Sequence, residues 1–379
     1  MHPGKSSSAT CATYWWRSRR EDGGYAAAAL GGRVILRGFV ALLLVAFAAA
    51  CASPTRSACE PGQPLGTICG FNNPEDIAFA ARHGVLVVSQ MALGGEAGSI
   101  AAYELGGPAP KRIWPIGTPG EFARLEGVGD PACAPVEAAV FAPHGIVMGP
   151  KGRAYIVNHG GRESVEILSL EGQGHAVRAV WRGCIELPAG TSGNDIAVAG
   201  DGEIIVANYM PSMTSLSGGL KTALGMVTGD ILAWRPDTGW RHVPNTEASA
   251  PNGVAISPDG QKIFFAETGG RQLVRLRRHD GGARAEVEID GALDNLSWTR
   301  DGQLLVASHD SLTAFLGCAT GGACRSPWSI WSINPDTLAV QRVFQHDGSV
   351  VGAVASAEEV GGRVYLSAVF GDRIGVWQR

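Results

Sequence analysis

Charge is scarce in this chain. Asp, Glu, Lys and Arg make up 17% of its 379 residues, the net charge is −4, and Lys and Arg form no cluster, which excludes a nucleic-acid surface. Helical periodicity of any length is missing after Glu60, which excludes a helical bundle. The apolar run Phe39–Ala50 is too short to span a membrane. No G-x-S-x-G elbow, phosphate-binding Gly loop or H-E-x-x-H helix occurs, so three common hydrolytic and nucleotide chemistries drop out. No C-x-x-C pair or Cys/His spacing points to zinc. What is plentiful is glycine, 53 residues, with 45% hydrophobic content. That composition suits many short strands and tight turns around a sizeable core.

A polar residue, an apolar run, a tight turn and a second apolar run recur in order. Glu75–Phe79 turns at Arg82-His83-Gly84 into Val85–Val88, and Asn194–Val198 turns at Asp201-Gly202 into Ile204–Asn208. Asn252–Ile256 turns at Asp259-Gly260 into Ile263–Glu267, and Asp294–Trp298 turns at Asp301-Gly302 into Leu304–Ala307. Phe141–His159 is a further copy around Pro150-Lys151-Gly152, and Val350–Val354 with Val364–Ala368 is a weaker one. The period is roughly 50 residues and leaves room for four strands, the length of a propeller blade. The chain is therefore read as all-β: a six-bladed β-propeller of four-stranded antiparallel blades around a central metal-binding channel, spanning 69–379.

In a propeller of this phase the leading polar residues stand where the innermost strands enter the channel, so Glu75, His144, Asn194, Asn252 and the pair Asp294-Asn295 converge on one mouth. The second strand of each repeat returns to that face and adds His159, Asn208, Glu267 and His309. Counting outward from a turn near Lys151 pairs His144 with about residue 158, which puts His144 and His159 side by side. Glu75, Asp294, Asn194, Asn252 and Asn295 compose an all-oxygen ring, a donor set that suits calcium rather than zinc or copper. Asp76, Asp195 and the Ile146 carbonyl are placed to hold a second ion deeper in the channel.

The first fifty residues read separately. Arg33 and Arg37, the run Phe39–Ala50 and the small residues before Cys51 fit a secretory signal of lipoprotein type over 1–50, with Cys51 as the lipidated residue. Met1–Gly32 is longer than such a leader requires and reads as an upstream start. Residues 51–68 read as a polar tether. Export gives the remaining cysteines, Cys59, Cys69, Cys133, Cys184, Cys318 and Cys324, the role of structural disulfides. Cys318 with Cys324, and Cys59 with Cys69, are close enough to close small loops. Tyr209–Gly229 and Asp310–Pro327 are insertions on the polar rim, candidate substrate walls or lids.

Pro74-Glu75-Asp76, Phe141–Ile146, Val157-Asn158-His159, Asn194-Asp195, Asn252-Gly253 with Ser257–Gly260, and Asp294-Asn295 together resemble the paraoxonase/arylesterase family, from Glu75 to about His309. The resemblance implies a six-bladed propeller with two calcium ions that hydrolyses lactones, aryl esters and organophosphate triesters. It implies a catalytic calcium on Glu75, Asn194, Asn252, Asp294 and Asn295, a structural calcium on Asp76, Asp195 and the Ile146 carbonyl, and His144 and His159 as the catalytic pair. The expected activity is calcium-dependent hydrolysis of a small ester or lactone, with water activated by the His pair, in a periplasmic or outer-membrane-anchored bacterial protein. The chain departs from the animal members at its start, with a lipid-anchor signal in place of their N-terminal helix, and lacks a C-terminal cysteine. Two alternatives stay open: a gluconolactonase-like or strictosidine-synthase-like propeller with a single metal ring, and a non-catalytic envelope propeller that binds a partner through its mouth.

Overall fold

The structure, a computed structural model, describes residues 65–212, 216–319 and 324–379. The leader at 1–50, Cys51, Cys59 and the tether up to 64 lie outside the described residues.

The expected architecture is present. Strand β1 is Gly66–Cys69. Blade one holds β2 (Pro74–Ala80), β3 (Val85–Gln90), β4 (Ser99–Glu104) and β5 (Lys111–Trp114). Blade two holds β6 (Pro143–Met148), β7 (Arg153–Asn158), β8 (Ser164–Glu171) and β9 (Arg178–Glu186). Blade three holds β10 (Gly193–Val198), β11 (Ile204–Asn208), β12 (Asp230–Arg235) and β13 (Gly239–His242), with helix α1 (Leu216–Ala223) between β11 and β12. Blade four holds β14 (Pro251–Ile256), β15 (Lys262–Glu267), β16 (Gln272–Arg277) and β17 (Ala285–Glu288). Blade five holds β18 (Ala292–Trp298), β19 (Leu304–His309), β20 (Trp328–Ile333) and β21 (Val340–His346), with helix α2 (Leu312–Cys318) after β19. Blade six holds β22 (Val354–Val360), β23 (Arg363–Ala368) and β24 (Arg373–Gln378), and β1 pairs antiparallel with β24 to complete it. Gly66–Ile68, within the stretch read as tether, thus belong to the propeller and close its ring.

The strands read as unbroken apolar runs because both of their faces are buried. In β11, Ile204 and Val206 pack against blade two while Ile205 and Ala207 pack against blade four, the period-two alternation of a strand. Each of the six blade interfaces carries one such cluster. Hydrophobic burial therefore holds blade to blade, and hydrogen bonds hold strand to strand.

The innermost strand of every blade departs from regular pairing at its channel end. The register shifts between Pro74 and Asp76, Pro143 and Ile146, Gly193 and Ile196, Pro251 and Val254, Leu293 and Leu296, and Val354 and Ala357. A β-bulge re-aims side chains that regular alternation would send to opposite faces. It explains how neighbours such as Glu75 and Asp76, or Asp294 and Asn295, are all buried and polar.

Cys318 bonds to Cys324, as their spacing predicts, and Cys133 bonds to Cys184 across 51 residues, a pairing the sequence left open. Cys69 is also disulfide-bonded. Among the described residues no helix is long and apolar enough to cross a membrane.

Candidate active site

Glu75, His144, Asn194, Asn252, Asp294 and Asn295 occupy the bulges of five successive inner strands, and each is at least nine-tenths buried. Asn295 Nδ2 donates to Glu75 Oε1 at 3.0 Å, which joins blade five to blade one and turns Asn295 Oδ1 the other way. His144 Nε2 stands 3.5 Å from the same Glu75 oxygen. His144 Nδ1 lies 2.9 Å from His159 Nε2, with the two rings edge to face at 5.1 Å. His309 Nε2 donates to Asp294 Oδ2 at 2.8 Å and is itself packed on Phe315 of α2, ring centroids 4.2 Å apart.

Among the described residues, Glu75 Oε2, Asn194 Oδ1, Asn252 Oδ1 and Asn295 Oδ1 are buried and meet no hydrogen-bond donor. A buried acceptor without a donor costs about 1–3 kcal/mol, so four of them on one ring are a strained set of lone pairs unless a cation takes them up. One carboxylate and three amide oxygens make a hard donor set, which fits calcium. No group of three His, Cys, Asp or Glu with metal-binding geometry occurs among the described residues, in keeping with a ring that is mostly amide.

Asp76 and Asp195 are bonded differently. Asp76 accepts from Ile77 N and, across the blade boundary, from Ile146 N, both at 2.8 Å. Asp195 accepts from Ile196 N at 2.7 Å and from Val254 N of blade four at 2.8 Å. Each carboxylate therefore ties its own blade to the next. The blades that receive these bonds carry glycine at the bulge: a Cβ on Gly145 would lie 2.6 Å from Asn194 O and Asp195 Cα, and one on Gly253 would lie 2.6 Å from Asn295 Cα.

Burial, and then the charge of Glu75, pushes Asp76 up to about 7; burial and Asp76 push Asp195 well above the carboxylate range. Burial also raises Asp294, with His309 pulling against it. Burial favours neutral His144, but Glu75, Asp294 and Asp76 outweigh it and hold the imidazole above its usual value. His159 goes down, chiefly through burial, although the Glu163 carboxylate opposes the change. The negative groups have one another and the imidazoles as neighbours, and a cation is what such a field attracts.

Asn208 and Glu267, expected at the mouth, serve their own blades instead. Asn208 Oδ1 accepts from Ser192 N and Glu267 Oε1 from Ser249 N, fixing the chain just before each inner strand. Gln90 and Asn158 do the same in blades one and two.

Three residues near the site carried no signal in the sequence. Glu163 bonds the far side of His159, but most other repeats carry no acid at that position before their third strand. Tyr209 opens the blade-three insertion and is raised to about 12 by burial and by Asp294. Glu358 lies further down the channel, where the inner strands line an open cavity of about 290 Å³ walled by Phe79, Met148, Val198, Ile256 and Trp298. Burial pushes its carboxyl up to about 8.

The sequence pattern of the arylesterase family matches residues 133–374. The chain belongs to the arylesterase family. The match covers blades two to five, the two inner strands of blade six and every candidate site residue except Glu75 and Asp76, which blade one supplies. Among solved structures, the arylesterase-family chain is similar to a luciferin-regenerating enzyme at 14% identity and a TM-score of 0.54, over 83% of this chain and 95% of that one. It is similar to a gluconolactonase from Xanthomonas campestris at 16% identity and a TM-score of 0.53, over 86% and 94%. At such identities the likeness establishes the fold alone. No curated protein sequence matches the chain.

Proposed function

We propose that this arylesterase-family protein is a calcium-dependent hydrolase of lactones and aryl esters. The observation that carries the reading is the ring of buried, donor-less oxygens on Glu75, Asn194, Asn252 and Asn295, set beside Asp294 and the His144–His159 pair. In the proposal Glu75, Asn194, Asn252, Asp294 and Asn295 would hold the catalytic ion, and Asp76 and Asp195, on lone pairs left over from their inter-blade bonds, would hold a second, structural one together with the Ile146 carbonyl. Calcium held by these residues would supply positive charge to polarise a substrate carbonyl and to balance the carboxylate field that favours protonated His144.

His144 Nε2 takes a proton from the attacking water, and His159 orients the His144 ring through its other nitrogen. His309, bonded to Asp294 and backed by Phe315, fixes the direction of that carboxylate. Leu216 and Leu220 of α1 and Leu312 and Leu316 of α2 are exposed beside the mouth, which supports substrates with an apolar acyl or aryl part. The disulfides support export, and lipidation at Cys51 would attach the propeller to a membrane.

The test is hydrolysis of aryl acetates, long-chain lactones and sugar lactones by chelator-treated protein with and without calcium. Activity lost to the chelator and restored by calcium is expected, with aryl acetates or long-chain lactones preferred over sugar lactones. Full activity in chelator, or none on any substrate with calcium bound, contradicts the reading.

A further inference from the structure

The His144–His159 pair does not end at His159. Glu163, in the turn just before β8, places Oε2 2.9 Å and Oε1 3.1 Å from His159 Nδ1. The same carboxylate accepts from Ser192 Oγ at 3.0 Å and from Gly193 N at 3.3 Å, the two residues immediately before Asn194. Its backbone carbonyl accepts from Leu187 N at 3.0 Å. Glu163 is thus held by three partners from blades two and three while it faces the imidazole.

We propose that Glu163 is a positioning residue that sets the tautomer of both histidines and locks them in register with the oxygen ring. An ionised carboxylate only accepts hydrogen bonds, so His159 must carry its proton on Nδ1. His159 Nε2 is then an acceptor, and at 2.9 Å it takes the N–H of His144 Nδ1. His144 Nε2, on the Glu75 side, is left as the one nitrogen of the chain of rings that gains or loses a proton. When it gains one in turnover, an O–H bond of water breaks, an N–H bond forms on His144, and the hydroxide oxygen bonds to the carbonyl carbon while the C=O π pair moves onto the carbonyl oxygen; as that pair returns, the C–O bond to the leaving group breaks and the His144 proton passes to the departing oxygen. The Glu163 charge stands at the far end of the line to stabilise the imidazolium. Through Ser192 and Gly193 the same carboxylate fixes the start of β10, so the base and the Asn194 oxygen are placed by one residue.

The effect on turnover rests on the catalytic reading of the pair; the tautomer does not. The experiment is ¹⁵N-edited NMR of the histidine rings in the full chain with calcium, for wild type, Glu163→Gln and Glu163→Ala, beside steady-state kinetics. The expected wild-type spectrum shows His159 protonated on Nδ1. Glu163→Ala shifts it toward the Nε2–H form and lowers kcat on the order of 10–100-fold, with KM little changed. Glu163→Gln, whose amide oxygen can still accept from Nδ1–H, keeps the tautomer and recovers part of kcat. A wild-type His159 protonated on Nε2 alone overturns the proposal without any variant, and so does an unchanged tautomer in Glu163→Ala. A tautomer that shifts as expected in a protein with no hydrolytic activity upholds the positioning role and sinks the hydrolase instead.

Discussion

The upper and deeper layers of the channel use the same chemistry of oxygen and differ in what the oxygens touch. In the upper layer Glu75, Asn194, Asn252 and Asn295 each keep one buried oxygen without a donor. In the deeper layer both oxygens of Asp76 and of Asp195 already accept backbone N–H groups, one from their own blade and one from the next. Residue type alone would assign both layers the same job. The bonding separates them: the upper oxygens are left for a ligand, while the deeper ones first hold the ring of blades together and have only spare lone pairs for an ion.

The largest effect that can break this contrast is loss of an upper carboxylate. Asp294→Ala should abolish ester and lactone hydrolysis while the fold survives, read by turnover beside circular dichroism. Activity within a few-fold of wild type would remove Asp294 from the site. His144→Gln should be graded instead, a loss of about 10²–10⁴ in kcat with calcium affinity intact, because it removes a base and leaves the ring in place. Equal, negligible losses from both would sink the division of labour.

In the deeper layer the expected damage is to stability. Gly145→Ala drives a Cβ into the Asn194 carbonyl and the Asp195 backbone, and overpacking of this kind costs about 1–3 kcal/mol. Chemical denaturation should show that loss; an unchanged midpoint would mean that blades two and three are not in the close contact described.

A last effect concerns pH. Glu358 is held up to about 8 by burial, whereas an unfolded glutamate ionises near the usual value of about 4.3. Between those two values the unfolded chain binds fewer protons than the folded one, so stability declines as pH rises through the window. Glu358→Gln should flatten that decline in thermal melts taken from pH 5 to pH 8.5, with little change at the acid end. A parallel decline in the variant would assign the pH sensitivity to other groups.

Much of the fold was legible because a doubly buried strand has to be apolar throughout, and because the polar residue ahead of each inner strand breaks that run in the same place every time. The meeting of His144 and His159 followed from hairpin counting. The counted pairing was one residue off: Asn158 lies opposite Pro143, and the bulge from Pro143 to Ile146 carries His144 into the channel. Bulges leave no composition signature, so they could not be counted. Nor could long-range closures. The β1–β24 pairing joins the two ends of the propeller, and six cysteines allow about fifteen connectivities, among which sequence could not select those containing the Cys133–Cys184 bridge. Glu163, a single polar residue in a turn, looked like any other solvated one until His159 stood against it.

Calcium stoichiometry tests the central claim most directly. Protein stripped with chelator and re-equilibrated with calcium should hold two ions per chain, and Asn252→Leu, which removes one upper oxygen and touches neither deeper carboxylate, should hold one and lose turnover. The same number of ions bound with the same affinity in both proteins would contradict the account.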